Sequence, residues 1–176
     1  MFAINSTSFS QLQKTNSVKE YTYTTFFAEL GGPGILFSAN LDKRFTKSQF
    51  GWGGRVGLGF VSGYIIPYDP PTQPPYYYND KQASVVTFPL QVNYVFGKVG
   101  SPNTFEVGGG FTIVGRKIEI MDFYGDDRAS SIFGTASFMY RRQPEKGGFT
   151  WRVGFTPLIA HGYVQASAGA SVGYSF

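Results

Sequence analysis

Ionisable side chains recur at alternating positions in segments that are otherwise apolar or rich in glycine. Alternate side chains of an extended strand share one face, so these groups would line one surface of a sheet. Isolated charges are costly to remove from water, so carboxylates and guanidinium groups on a buried face should pair. Such a set of polar side chains could close a narrow lumen, which is the interpretation we favour, or it could form a path for protons or ions. The predicted members are Glu29, Asp42, Arg44, Arg55, Glu106, Arg116, Arg141 and Arg152, with the neutral Asn40, Gln91 and Asn93.

The single histidine, His161, lies shortly before Ser167. A histidine and a serine near a carboxylate could hydrolyse acyl esters, for example those of a membrane lipid. No specific motif surrounds the two residues, and no third partner can be assigned. We therefore predict no catalytic residues and keep a hydrolase that uses His161 as an alternative.

Metal and cofactor sites are not indicated either. The chain has no cysteine, which excludes disulfides, thiolate metal sites and cysteine nucleophiles. Asp122, Asp126 and Asp127 could hold Ca²⁺, but their spacing misses the EF-hand pattern. We expect no metal and no cofactor.

A proline- and tyrosine-rich segment, residues 65–82, could form a recognition surface. Proline favours extended, stiff backbone, and exposed tyrosines are suited to contacts with protein or glycan. The alternative, which the residues favour, is a loop that packs over the mouth of the fold or lies on lipid headgroups. The tyrosines concerned are Tyr68, Tyr76, Tyr77 and Tyr78.

The composition narrows the class of protein. The 176 residues include 42% hydrophobic, 18% aromatic and only 15% charged residues, with 23 glycines. A soluble domain usually has about 25% charged residues, and a helix bundle would need more alanine, leucine, glutamate and lysine. The net charge of +4 is too small to indicate nucleic acid as a partner.

Period-2 alternation begins near Tyr21 and predicts consecutive strands. Residues 1–20 are polar and without a sustained period, so we interpret them as an N-terminal tail. No helical pattern interrupts the strands, which should therefore pair antiparallel with their neighbours. The eight predicted strands are 21–31, 35–45, 50–64, 83–97, 104–117, 131–142, 148–159 and 166–176.

One face of each strand is apolar and aromatic, and the other is small or polar. In residues 50–64, for example, Trp52, Val56 and Leu58 alternate with glycines and Arg55. The interior of an eight-stranded barrel has room only for side chains that fill it, and aromatics from every strand would overfill it. The sequence therefore predicts an all-β, eight-stranded antiparallel up-and-down transmembrane β-barrel over residues 21–176, with the apolar face outward to lipid. Aromatics at the strand ends should form interfacial girdles.

Loop lengths predict the orientation of this barrel. The connectors 46–49, 98–103 and 143–147 are all short and should be periplasmic turns. The opposite connectors, 32–34, 65–82, 118–130 and 161–165, include the two long ones. Short turns on the inside and longer loops on the outside are typical of bacterial outer-membrane barrels.

Residues 29–45, ELGGPGILFSANLDKRF, resemble the opening hairpin of small outer-membrane β-barrels of the Bacteroidota, whose architecture is like that of the OmpA and OmpX barrels. The final Gly-Tyr-Ser-Phe resembles the aromatic-ended last strand that the barrel-assembly machinery reads. The resemblance implies an envelope location in a Gram-negative cell and supplies no catalytic residues. No secretory leader is visible in residues 1–20, so the resemblance also implies that a leader was removed or replaced.

The predicted function is an integral outer-membrane barrel with a closed polar lumen and a structural or interaction role through the outer loops 65–82 and 118–130. The expected partners are outer-membrane lipid and an envelope protein. Three alternatives stay open: an outer-leaflet lipid-modifying enzyme, a soluble small-ligand carrier and an accessory subunit of a larger outer-membrane complex.

Overall fold

The alternating pattern forms ten strand segments and one short 3₁₀ turn in a computed structural model, which describes residues 22–65, 81–118 and 130–176. No helix within these ranges is long and apolar enough to cross a membrane. The predicted tail 1–20 lies outside them. The strands are β1 (Thr24–Gly31), β2 (Phe37–Arg44), β3 (Gly51–Ile65), β4 (Lys81–Gly97), β5 (Asn103–Ile118), β6 (Ser130–Arg142), β7 (Gly148–Phe155), β8 (Leu158–Ala160), β9 (Tyr163–Gln165) and β10 (Ala168–Ser175), and the 3₁₀ turn is Gly32–Gly34.

The strands close into a barrel. Each of the strands β1 to β6 pairs antiparallel with the next, and β10 pairs with both β7 and β1. At the closing seam Thr25 lies opposite Ser175, and their hydroxyl oxygens are 2.8 Å apart. Since β7 with β8 forms the seventh barrel strand and β9 with β10 the eighth, the predicted eight-stranded antiparallel barrel is confirmed.

The seventh strand is interrupted by Thr156 and Pro157. Proline has no N–H to donate to a ladder, so the ladder is interrupted there. Beyond the break β8 continues along β6 in the same register as β7 and also pairs with β9. The Thr156 N–H donates to the Ser167 carbonyl at 2.8 Å, which joins the seventh and eighth strands across the break. The predicted connector 161–165 is thereby reduced to the turn at His161 and Gly162.

Side chains are distributed in the opposite sense to that of a water-soluble domain. Large apolar side chains are exposed along the outside, as at Trp52 (60%), Leu58 (56%) and Val172 (54%). The interior is polar through most of its height, with buried threonines, asparagines and charged groups.

An apolar layer occupies the interior at the end away from the short turns. Val85, Val114, Phe133, Leu158 and Ala160 are buried together there, and Ile35 and Val61 pack against them. These side chains form a layer above the polar groups.

Candidate functional site in the barrel interior

Asp42 and Glu106 are the centre of a buried ion network. The Arg141 Nη1 group donates to Asp42 Oδ2 at 2.6 Å and to Glu106 Oε2 at 2.9 Å. The Arg152 Nη1 group donates to Glu106 Oε2 at 3.2 Å and lies 3.8 Å from Asp42 Oδ2. Arg44 pairs with Asp42 from the same strand. Each carboxylate therefore serves more than one guanidinium group, which offsets the cost of burying these charges.

The register of the strands explains why this network needs its carboxylates. Arg141 of β6 lies directly opposite Arg152 of β7, and like charges in a cross-strand pair destabilise a sheet. Glu106 on β5 contacts both of them, and Asp42 reaches both from β2 across the interior.

Asn93 adds neutral hydrogen bonds to the same cluster. Its amide Nδ2 donates to Glu106 Oε1 at 3.2 Å and to Asp42 Oδ1 at 3.3 Å, and its oxygen accepts a hydrogen bond from Arg44. A side chain at position 53 would overlap the Arg44 guanidinium group. Gly53 therefore makes room for the Arg44 side chain.

A second ion pair lies nearer the opposite end of the interior. Arg55 pairs with Glu29, and its Nε donates to Asn40 Oδ1 at 3.2 Å. The ring of Phe27, which has no exposed surface, lies between two guanidinium groups. Arg152 lies 3.3 Å and Arg55 4.8 Å from the ring centroid. Among the described interior groups, four guanidinium groups face three carboxylates, and the aromatic face stabilises the excess positive charge.

The turn Gly32–Gly34, which connects β1 and β2, folds into the interior and does not extend outward. All three of its residues are buried, and it touches β1, β3, β4, β5, β6 and β10. The Thr87 hydroxyl donates to the Gly34 carbonyl at 3.0 Å, and the Thr112 hydroxyl donates to the Pro33 carbonyl at 2.5 Å. This inward turn, called the plug below, lies between the ion network and the apolar layer.

Replacing Gly32 by valine should displace the plug. Gly32 has a φ of +68°, and a Cβ there would meet the Glu29 carboxylate. Backbone strain and overpacking together should lower the free energy of unfolding by about 2–4 kcal/mol. Urea unfolding in detergent micelles would measure this loss.

The matched control for this prediction is Gly162→Val. Gly162 has a φ of +80°, but no atom lies within 4 Å of a Cβ built there. The control isolates the backbone strain, so a loss as large as that of Gly32→Val would contradict the role assigned to the crowded site.

Aromatic side chains form a continuous belt on the outer surface near the short turns. Neighbouring ring centroids lie between 5.2 and 6.4 Å apart. The belt crosses five of the eight barrel strands and matches the girdle predicted for a membrane interface. This aromatic belt consists of Trp52, Tyr94, Phe96, Phe105, Tyr140 and Trp151.

The charged residues predicted from the sequence separate into two groups. Arg116 is exposed, although it lies on the same face of β5 as the buried Glu106 and Val114. The strand extends past the apolar layer, so position 116 lies above the interior. Its placement differs from the predicted one. The structure buries and brings together the other seven: Glu29, Asp42, Arg44, Arg55, Glu106, Arg141 and Arg152.

Other predicted sites lie elsewhere or cannot be placed. Tyr68, Tyr76, Tyr77 and Tyr78 fall outside the described residues, as does the acidic stretch that contains Asp122, Asp126 and Asp127. His161 is exposed at the tip of the β8–β9 hairpin, and no hydrogen bond or ion pair joins it to Ser167 or to a carboxylate within the described ranges.

Sequence reasoning missed Phe27 and the plug. Gln49 and Gln143, which are buried at the turn end, were also missed. The Gln143 amide donates to the Thr22 hydroxyl at 3.3 Å. The alternation of the flanking strands, extended into the turns, places Gln49 and Gln143 on the inward side, but nothing in the sequence distinguishes the two from ordinary turn residues.

No protein-family model and no curated protein sequence matches this chain. Among solved structures, the crystal structure of the N-terminal β-barrel domain of Pseudomonas aeruginosa OprF is similar, with a TM-score of 0.51 and 11% sequence identity. The alignment covers 90% of this chain and 98% of that domain. At this identity the similarity shows the fold, a closed eight-stranded antiparallel barrel. The Bacteroidota type stays a prediction.

Proposed function

We propose that this chain is an integral β-barrel of the Gram-negative outer membrane, with a sealed interior and a structural or interaction role. The observation that carries the proposal is the inverted distribution of side chains. Ion pairs and hydrogen-bonded amides are buried inside, while large apolar groups are exposed on the outside. Water would not stabilise such a surface, whereas hydrocarbon would.

The dimensions of the apolar surface support a membrane span. On β4 the outward positions of residues 86–96 are all apolar or aromatic, namely Val86, Phe88, Leu90, Val92, Tyr94 and Phe96. A tilted transmembrane strand needs about 9–11 residues. The aromatic belt marks one boundary of this apolar surface, and the barrel resembles the OprF domain in fold.

Membrane insertion can be tested by extraction and gel migration. We expect the protein to stay with membranes after a carbonate wash, to require detergent for purification and to migrate differently before and after boiling. Release without detergent as a stable monomer would contradict the membrane assignment.

The sealed interior predicts that the barrel conducts no ions. The ion network, the plug and the apolar layer follow one another along the axis, and open channels need about 16 strands or more. Purified barrel in planar lipid bilayers should therefore give no steady conductance steps above the lipid background. Reproducible steps from folded, heat-modifiable protein would contradict the proposal.

The interaction role is proposed for the outer loops 65–82 and 118–130. It can be tested by replacing Tyr68, Tyr76, Tyr77 and Tyr78 with serine. The barrel should stay heat-modifiable, while envelope proteins that cross-link to the native barrel should be lost. An unchanged cross-linking pattern would contradict a role for these tyrosines.

A further inference from the structure

Basic side chains surround the turn end of the barrel. All five are exposed, and each of the three short connectors or its flanking strand contributes at least one. This basic ring consists of Lys43, Lys47, Lys98, Arg142 and Lys146.

The described residues supply the ring with little counter-charge at its own end. Glu145 is the single acidic side chain that the described residues place there. The structure records no ion pair between any of the five cations and another described residue. Within the ranges that the structure describes, these five cations against one carboxylate leave an excess of +4 at this end.

The connectors at the opposite end have a different composition. The segments 66–80 and 119–129 contain six acidic residues and one basic residue, Arg128, and the adjoining strand ends add the basic residues Lys81, Arg116 and Lys117. Six acidic against four basic residues leave no excess of positive charge in this part of the sequence.

The basic ring lies next to the aromatic belt. Arg142 is directly opposite Trp151 in the β6–β7 register, and Lys43 follows the exposed Leu41 on the outer face of β2. The same connectors expose apolar side chains, with Phe45 at 67% and Val99 at 71%. Apolar groups, aromatic rings and cations at one level are typical of a lipid interface, where long basic side chains extend from the apolar region toward the headgroups.

We propose that the basic ring binds the headgroups of anionic phospholipids in the leaflet that surrounds the turn end. The inference rests on the proposed membrane span. Phosphate groups with a net negative charge supply the missing counter-charge, whereas zwitterionic headgroups do so only in part. A soluble acidic partner would satisfy the cations but would leave Phe45 and Val99 in water.

The two tryptophans make the test possible without a label. Trp52 and Trp151 are the only tryptophans in the chain, and both belong to the aromatic belt beside the ring. Their fluorescence therefore reports which lipids contact this end. The barrel is folded into phosphatidylcholine vesicles that contain a minor share of phosphatidylglycerol, and only one of the two lipids carries bromine near the headgroup end of its acyl chains.

Quenching by brominated phosphatidylglycerol should exceed that expected from its bulk share, with an apparent preference of about two-fold or more at low salt. High salt should reduce the preference. Quenching by each lipid in proportion to its bulk share at low salt, in protein that gel migration shows to be folded, would overturn the inference. Failure to insert into either vesicle would instead contradict the proposed membrane span.

The variant K47Q/K98Q/K146Q removes one cation from each short connector. It should lower the preference to near one without changing gel migration. The control K81Q/R116Q/K117Q removes the same charge from the outer ends of β4 and β5 and should keep the native preference. Equal losses in the two variants would overturn the assignment to the turn end, because they would show a dependence on net charge alone.

Discussion

Asp42→Ala should lower the free energy of unfolding by about 3–5 kcal/mol, because it leaves buried cations without their anion. The Asp42 carboxylate accepts hydrogen bonds from Arg44, Arg141 and Asn93, and lies 3.8 Å from an Arg152 nitrogen. Without it the guanidinium groups of β2, β6 and β7 share only Glu106 in this layer. Urea titration in micelles, followed by tryptophan fluorescence and gel migration, measures the loss.

The control for Asp42 is its neighbour on the outer face. Lys43 is exposed and has no ion pair with a described residue, so Lys43→Ala should change the unfolding free energy by about 0.5 kcal/mol or less. Asp42→Asn tests the charge separately from the shape, and we expect it to retain only part of the native stability. Equal stability of Asp42→Ala and Lys43→Ala would show that the network does not stabilise the barrel.

Phe27→Ala should have an effect of similar size by a different mechanism. The side chain has no exposed surface, and its ring is the face on which Arg152 and Arg55 lie. Removing it creates a cavity and leaves the excess guanidinium charge beside a void. The expected loss in unfolding free energy is about 3–5 kcal/mol, measured by the same titration.

The adjacent Phe26 provides the comparison, since it is the same residue type on the opposite face of β1. It is 53% exposed, and lipid or detergent fills the space when it is truncated. Phe26→Ala should therefore lose only the transfer term, about 1.5–2 kcal/mol. If Phe26→Ala proved as destabilising as Phe27→Ala, the aromatic packing inside the barrel would have no special role.

The alternation of residue types was sufficient to predict the fold and the direction of most side chains. Trp52 and Leu58 against Arg55, and Val92 against Asn93, indicate which face is outward. The register of neighbouring strands then follows from short turns, because a shift by one residue would turn every charge into the lipid.

Height along the barrel axis could not be predicted in this way. Arg116 has the same parity as Glu106, yet β5 is 16 residues long and carries position 116 past the layer in which interior groups are buried. Parity determines the face of a side chain but not its depth. The ion partners of Arg141, which come from strands far apart in sequence, depend on depth in the same way.

The interior positions of Phe27 and the plug depend on the space that other side chains leave. Alternation places Phe27 on the same face as Glu29, but it does not show that an aromatic ring has room among the interior charges. The Gly-Gly-Pro-Gly segment indicates a turn, but its inward direction depends on Thr87 and Thr112, whose hydroxyls hold the plug carbonyls.

The closing seam between β1 and β10 has a consequence for how the chain reaches its native state. Thr25 and Ser175 are separated by 150 positions in sequence, and Arg141 and Asp42 by 99. Contacts between residues so far apart in sequence have a large entropic cost, and they slow folding to the native topology. Because the ion partners also come from distant strands, a partly assembled sheet would leave guanidinium groups uncompensated. Assembly should therefore be slow and cooperative, and neutralisation of the buried charges should coincide with the meeting of the first and last strands.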